Sequence, residues 1–187
     1  FALHQTNYDM VVVDAFHDIG ASGGIAGSSS SLDTAVHTAT ALAEHYLRAG
    51  ERVGLLVLGV HGVRPLAAAA GRVQLRRIRD SLALIRPGTG RGSEDQASAT
   101  LLARIPGGAV VLLLTPGVSA AALGRCVALA QSGMTVLVID TLPRAVTPER
   151  IGVADLQAIA PLESMRDVAL TRTAWRLRLL ERTAQLH

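Results

Sequence analysis

The stretch Met10-Val11-Val12-Val13-Asp14-Ala15-Phe16 decides the fold: an apolar run, rich in β-branched valine, interrupted only by an acid near its end. A strand that alternates apolar and polar residues buries one face. A run without alternation buries both, which is the condition of a strand inside a parallel sheet covered by helices on each side. Three further runs of this kind follow: residues 53–60 (VGLLVLGV), 109–114 (AVVLLL) and 135–139 (TVLVI), the last closed by Asp140. Between them lie segments with apolar residues at helical spacing. Residues 32–49 follow Ser30 and Asp33, which have the spacing of a capping box, and end at Gly50; residues 73–85 and 118–131 are the others, the latter ended by Gly133. Residues 94–104 fit one more helix. His61-Gly62 reads as a two-residue turn into residues 63–66, an antiparallel edge strand on which Pro65 is tolerated because it has no N–H to pair. The expectation is an α/β domain: a doubly wound, mainly parallel sheet with helices on both faces and an antiparallel edge strand. Crossovers in such sheets are right-handed, and ligands bind at the carboxyl ends of the strands. The loop after Asp14 is therefore the place to look for a site.

The bulk composition narrows the function. A chain of 187 residues suits one core better than two, so residues 1–187 are expected to form a single domain, with 149–187 a C-terminal helical extension. Hydrophobic residues make up 49% and charged residues 18%, which excludes disordered and collagen-like classes. Aromatic residues make up only 3%, so the core is aliphatic, base-stacking platforms are scarce and nucleic acid is not the expected partner. The formal net charge is +3, and all 18 basic residues are arginine. Without lysine there is no Schiff base, no lysine general base and no P-loop lysine. Cys126 is the only cysteine, so no intrachain disulfide forms; a reducing, cytoplasmic setting is expected. No run approaches the roughly 18 apolar residues of a membrane span, and no secretory signal opens the chain. The chain starts at Phe1, already heading toward a strand, which leads to the expectation of a soluble domain excised from a longer protein with membrane anchors upstream.

Several residues invite a chemical reading. Asp14 ends its strand where a carboxylate can hold a hard cation, with Asp18 close in sequence; equally, a buried acid there can accept hydrogen bonds from the amides of the following loop. His17 lies between them, without a third group that would complete an acid/base mechanism. Gly20-Ala21-Ser22-Gly23-Gly24 matches the G-x-S-x-G pattern of a nucleophile elbow and makes a Ser22 hydrolase, or a hydrolase using metal at Asp14, the enzymatic alternative. The spacing is wrong for an elbow, since the strand ends near Phe16 and the helix begins near Leu32. The glycine-rich segments near Gly24 and Gly90 lack G-K-[ST], so nucleotide chemistry has no lysine cradle. His37 and His45 are two helical turns apart, too far for a one-turn ligand pair. Residues 162–186 carry Arg166, Arg172, Arg176, Arg178 and Arg182 around Met165, Trp175 and Leu179. This basic amphipathic stripe packs on the domain with solvated arginines, or docks an acidic partner or membrane headgroups. The last option makes a membrane-surface module the second alternative.

Asp14 after its apolar strand, the helix from Leu32, the phrase AGERVGLLVLGV (49–60), the hairpin, VVLLLTPG (110–117) and TVLVID (135–140) together resemble a von Willebrand factor A domain. More narrowly they resemble the bacterial family called domain of unknown function fifty-eight, often encoded beside MoxR ATPases. The resemblance covers Asp9 to Asp140 and rests on the order of the pieces, with Arg52-Val53-Gly54-Leu55 its most family-like stretch. It implies magnesium or another divalent cation held by an Asp-x-Ser-x-Ser motif after the first strand, a threonine from a later loop and an aspartate after the fourth strand. Asp14 matches the first position and Thr89 is the counterpart of the threonine, but Phe16 and Asp18 stand at the serine positions and Pro116 where the last aspartate falls. Phenylalanine offers no oxygen and proline only its carbonyl. The expected site is thus degenerate, with Asp14, Asp18 and Thr89 as weak ligands at most and no resident cofactor. By resemblance the chain is a non-enzymatic interaction or assembly domain working with a MoxR-type ATPase. Phe16, His17, Arg91 and Pro116 are the residues expected to face the partner, and the oligomeric state is left open.

Overall fold

The structure, a computed structural model, describes residues 8–20, 22–23, 29–59, 64–86, 103–105, 107–117 and 120–143. Their elements run β1 (Tyr8–Asp14), α1 (Ser31–Arg48), β2 (Arg52–Leu58), β3 (Leu66–Ala69), α2 (Arg72–Ala83), β4 (Val110–Thr115), α3 (Ala120–Gln131) and β5 (Thr135–Asp140). The strands form one sheet in the order β3-β2-β1-β4-β5. β1 is parallel to both β2 and β4, β5 is parallel to β4, and β3 is the antiparallel edge. The doubly wound α/β architecture is as the apolar runs require.

Parity along the strands builds the two faces. Val11 and Val13 of β1 join Val53, Leu55, Val57, Leu112 and Leu114 in a core with α1 and α2. Met10 and Val12 turn the other way, with Leu56, Leu58, Val111 and Leu113, against Leu129 of α3 and Met134. Val11, Val12 and Val13 are all fully buried, which is why the first strand has no polar alternation. On the first face α1 presents Ala35, Ala39 and Ala43 in one stripe between Leu32 and Leu47, and these small side chains let the helix lie close to the sheet. Buried Asp9, near the start of β1, has its pKa raised by desolvation and secondarily by the charge of Glu51.

Two boundaries differ from expectation. β1 stops at Asp14: Ala15 N still donates to Leu58 O at 3.0 Å, but Phe16 N turns back to Asp14 Oδ1 at 3.3 Å and leaves the ladder. The edge strand starts at Leu66, where the expected one ended, so Pro65 precedes it. Its pairing with β2 shifts register between Val53 and Leu55. Gly54 sits at that shift, and a Cβ there would lie 2.8 Å from the Met10 sulfur and 2.9 Å from the Leu66 carbonyl oxygen. Only glycine permits this approach of the edge. Gln74 then pins the start of α2 across both strands, its Nε2 donating to Val53 O at 2.8 Å and Ala67 O at 3.0 Å. The His61-Gly62 turn, residues 94–102 and the tail from 144 lie outside the described residues. Among the described residues no helix is long and apolar enough to cross a membrane.

Candidate functional site at the sheet switch point

From β1 the chain runs to β2 on one side, and it later returns to β4 on the other. The connections after two neighbouring strands thus diverge at the β1/β4 junction, which opens the crevice where open α/β sheets receive ligands. Asp14 and Thr115 end these two strands and meet there. Thr115 Oγ1 donates to Asp14 Oδ2 at 2.8 Å and accepts from Gly117 N at 3.0 Å. The second face of the sheet supplies a third partner: Arg125 of α3 donates from a terminal nitrogen to the same Asp14 Oδ2 at 2.6 Å. The two side chains are only 1% and 3% exposed. The Arg125 guanidinium also lies over the Phe16 ring, 5.4 Å from its centroid. Phe16 packs in turn against the second core. Gly59, at φ +80°, allows this, since a Cβ there would be 2.7 Å from Phe16 N.

Chemically the crevice is closed by its own cation. Desolvating an isolated carboxylate and guanidinium costs several kcal/mol each, roughly, and a short charge-assisted bond with further hydrogen bonds offsets that cost. Asp14 has three partners: a guanidinium and a hydroxyl on Oδ2, and a backbone amide on Oδ1. A metal ion at Asp14 Oδ2 has to displace Arg125. A general base acting through Oδ2 has to give up the same partner.

Asp18 is occupied elsewhere. Its Oδ1 accepts from Leu32 N at 3.0 Å and Ser31 Oγ at 3.3 Å, and Ser31 Oγ accepts from Ile19 N at 2.8 Å. It therefore supports the first turn of α1, where free amides and the helix dipole favour a carboxylate. Ser22 is exposed and hydrogen-bonds the Asp33 carboxylate, the largest of the influences holding the Asp33 pKa below its ordinary value. The G-x-S-x-G serine is thus partnered by a helix-capping acid. His37 and His45 lie on α1, and the His45 ring packs edge-on against Tyr46 with centroids 5.3 Å apart.

Of the residues expected to face a partner, Pro116 is buried, Phe16 is half-buried beneath Arg125 and His17 is half-buried. Pro116 follows β4 directly and is buried with the strand end. Thr89 and Arg91 lie outside the described residues. Among the described residues there is no group of three or more His, Cys, Asp or Glu side chains placed to hold a metal.

Arg125 is the residue that motif matching overlooks. Its signal was present: in AAALGRCVALAQ it sits four residues before Leu129, on the stripe that α3 buries. A charge on a buried stripe needs a buried partner of opposite sign, and Asp14 is that partner.

Fold and site together define a doubly wound α/β domain whose switch-point crevice is closed by an internal Asp–Arg pair. No protein-family model matches the chain, and no curated protein matches it.

Proposed function

We propose that this chain is an interaction domain of von Willebrand factor A type, close to the domain of unknown function fifty-eight, which serves as an assembly adaptor for a MoxR-type ATPase in the cytoplasm. The observation that supports it is the state of Asp14. A buried carboxylate oxygen already shared by an arginine and a threonine hydroxyl, with a backbone amide on its sister oxygen, takes a hard cation at Oδ2 only by giving up those partners. The guanidinium supplies from within the chain the positive charge that a divalent ion brings to a site of that type. Binding then rests on surface shape and charge, and the switch point acts as a fixed structural clamp.

Calorimetric titration with magnesium, manganese and calcium tests the clamp, with no micromolar affinity expected. A micromolar affinity abolished by Asp14→Ala overturns it. Capture experiments with this chain as bait test the adaptor role: a MoxR-type ATPase co-elutes in at least one nucleotide state. Its absence in every state removes the adaptor reading, and fluorophosphonate labelling lost in Ser22→Ala moves the assignment to a hydrolase.

A further inference from the structure

A second cluster of charge lies away from the switch point, between α1 and α2. A groove of about 420 Å³ there is lined by Arg48, Arg72, Arg76 and Arg79, together with Glu44 and Asp80. Half of its positive charge is used internally. Glu44 accepts from Arg79 at 2.9 Å through Oε2 and from Arg48 through Oε1. Arg72 and Arg76 have no ion pair or hydrogen bond of their own side chains among the described residues, and both are exposed. They lie one turn apart, where like charges repel. Arg72 also opens α2 behind a glycine that offers no side-chain cap, with no acid in the first turn. The positive end of a helix disfavours a cation at that position. Asp80, one turn beyond Arg76, offsets part of this charge, but four arginines face two acids in the concave surface, a local imbalance of the kind that proteins retain where a ligand resolves it.

We infer that the groove between α1 and α2 docks an acidic segment of a protein partner, with carboxylates pairing to Arg72 and Arg76. Glu44 displays the chemistry in place, one carboxylate shared by two arginines. It also argues against a phosphodiester strand or a lipid surface: Glu44 and Asp80 interrupt the positive charge, which repels a continuous row of phosphates but leaves room for spaced carboxylates. Half-buried Leu75, which lines the groove between the two arginines, offers an apolar contact for a side chain flanking those acids. The inference rests on the interaction-domain reading and names one face and its partner chemistry.

The test is fluorescence anisotropy of a short labelled peptide of alternating aspartate and glutamate, titrated with the full chain over a range of salt. Binding is expected to weaken with salt and to fall roughly tenfold or more in Arg72→Glu. In the same variant the thermal midpoint of the unliganded chain holds or rises, because the substitution removes the like-charge pair and places an acid at the helix start. Loss of binding without loss of stability separates a docking role from a structural one. The inference is overturned by unchanged peptide binding in Arg72→Glu, by loss only in Arg176→Glu or Arg178→Glu of the tail, or by stronger competition from single-stranded DNA or phosphatidylserine vesicles than from unlabelled peptide. ATPase capture that persists in Arg72→Glu without peptide binding by the native chain sinks the groove and leaves the adaptor reading intact. Peptide binding without ATPase capture does the reverse.

Discussion

Arg125 and Asp14 depend on each other more than either contributes alone. Removing one member of a buried pair leaves an uncompensated charge and costs about 3–5 kcal/mol, whereas replacing both with apolar side chains of similar volume is often nearly neutral. A double-mutant cycle on Asp14→Val and Arg125→Met, followed by urea unfolding, is expected to show two strongly destabilised single variants. The double variant should recover much of the loss. Additive effects would mean that the 2.6 Å contact carries no coupling. Residual cost in the double variant reports the rest of the environment: the Thr115 hydroxyl loses its acceptor, and the Phe16 ring loses the cation above it. Such a cation–ring contact contributes about 0.5–2 kcal/mol.

At the scale of the element, the start of α1 is the most densely bonded junction described. Ser30 and Asp33 form a reciprocal capping box, with Asp33 N donating to Ser30 Oγ at 3.2 Å and Ser30 N to Asp33 Oδ2 at 3.1 Å, while Asp18 holds the next amide. Ser30→Ala is expected to cost about 1 kcal/mol in denaturant unfolding. The pH dependence follows from Asp33, whose pKa is lowered first by Ser22, with desolvation next and opposing, and then by the Ser30 hydrogen bonds and the charge of His37. A folded pKa below the unfolded one means that the ionised carboxylate contributes stability in full above the ordinary carboxylate range. That contribution is lost as pH falls through the folded value. Asp33→Asn should therefore lie below the native chain in stability at neutral pH and converge with it in acid. In Ser22→Ala, carbon-detected titration should find the Asp33 pKa moved up toward its ordinary value. This junction was legible in the sequence because Ser30 and Asp33 are three residues apart and a capping box needs nothing else. The Arg125 clamp was not, since 111 residues separate its members and the pairing depends on where α3 crosses the sheet. The start of β3 was misplaced for a related reason: Gly54 and the register shift of β2 fix it, and neither leaves a periodic trace in LAAA.

Across the whole molecule, the sheet was legible because apolar runs without alternation admit few placements other than the inside of a covered parallel sheet. What those runs do not encode is the depth of each strand, and depth governs how the domain opens. β1 is central, bonded along its length to β2 and along most of it to β4, with Val11, Val12 and Val13 fully buried. β3 has four half-buried or exposed residues, and β5 leaves Leu137 50% and Val138 40% exposed at the opposite edge. Amides in the centre should therefore exchange with solvent only when the whole domain unfolds, whereas those at either edge should exchange through smaller openings. Native-state hydrogen exchange at rising, sub-denaturing urea is expected to show β1 and β4 amides sharing the global free energy and denaturant slope. β3 and the outer amides of β5 should begin lower, with shallow slopes, and merge with the centre only near the unfolding midpoint. Because Arg125 ties α3 to the end of β1, Arg125→Met should lower the opening energy of α3 toward that of the edges while the slope for β1 stays global. Equal protection of β1 and β5 in the native chain would contradict this order and place the energetic centre of the sheet elsewhere.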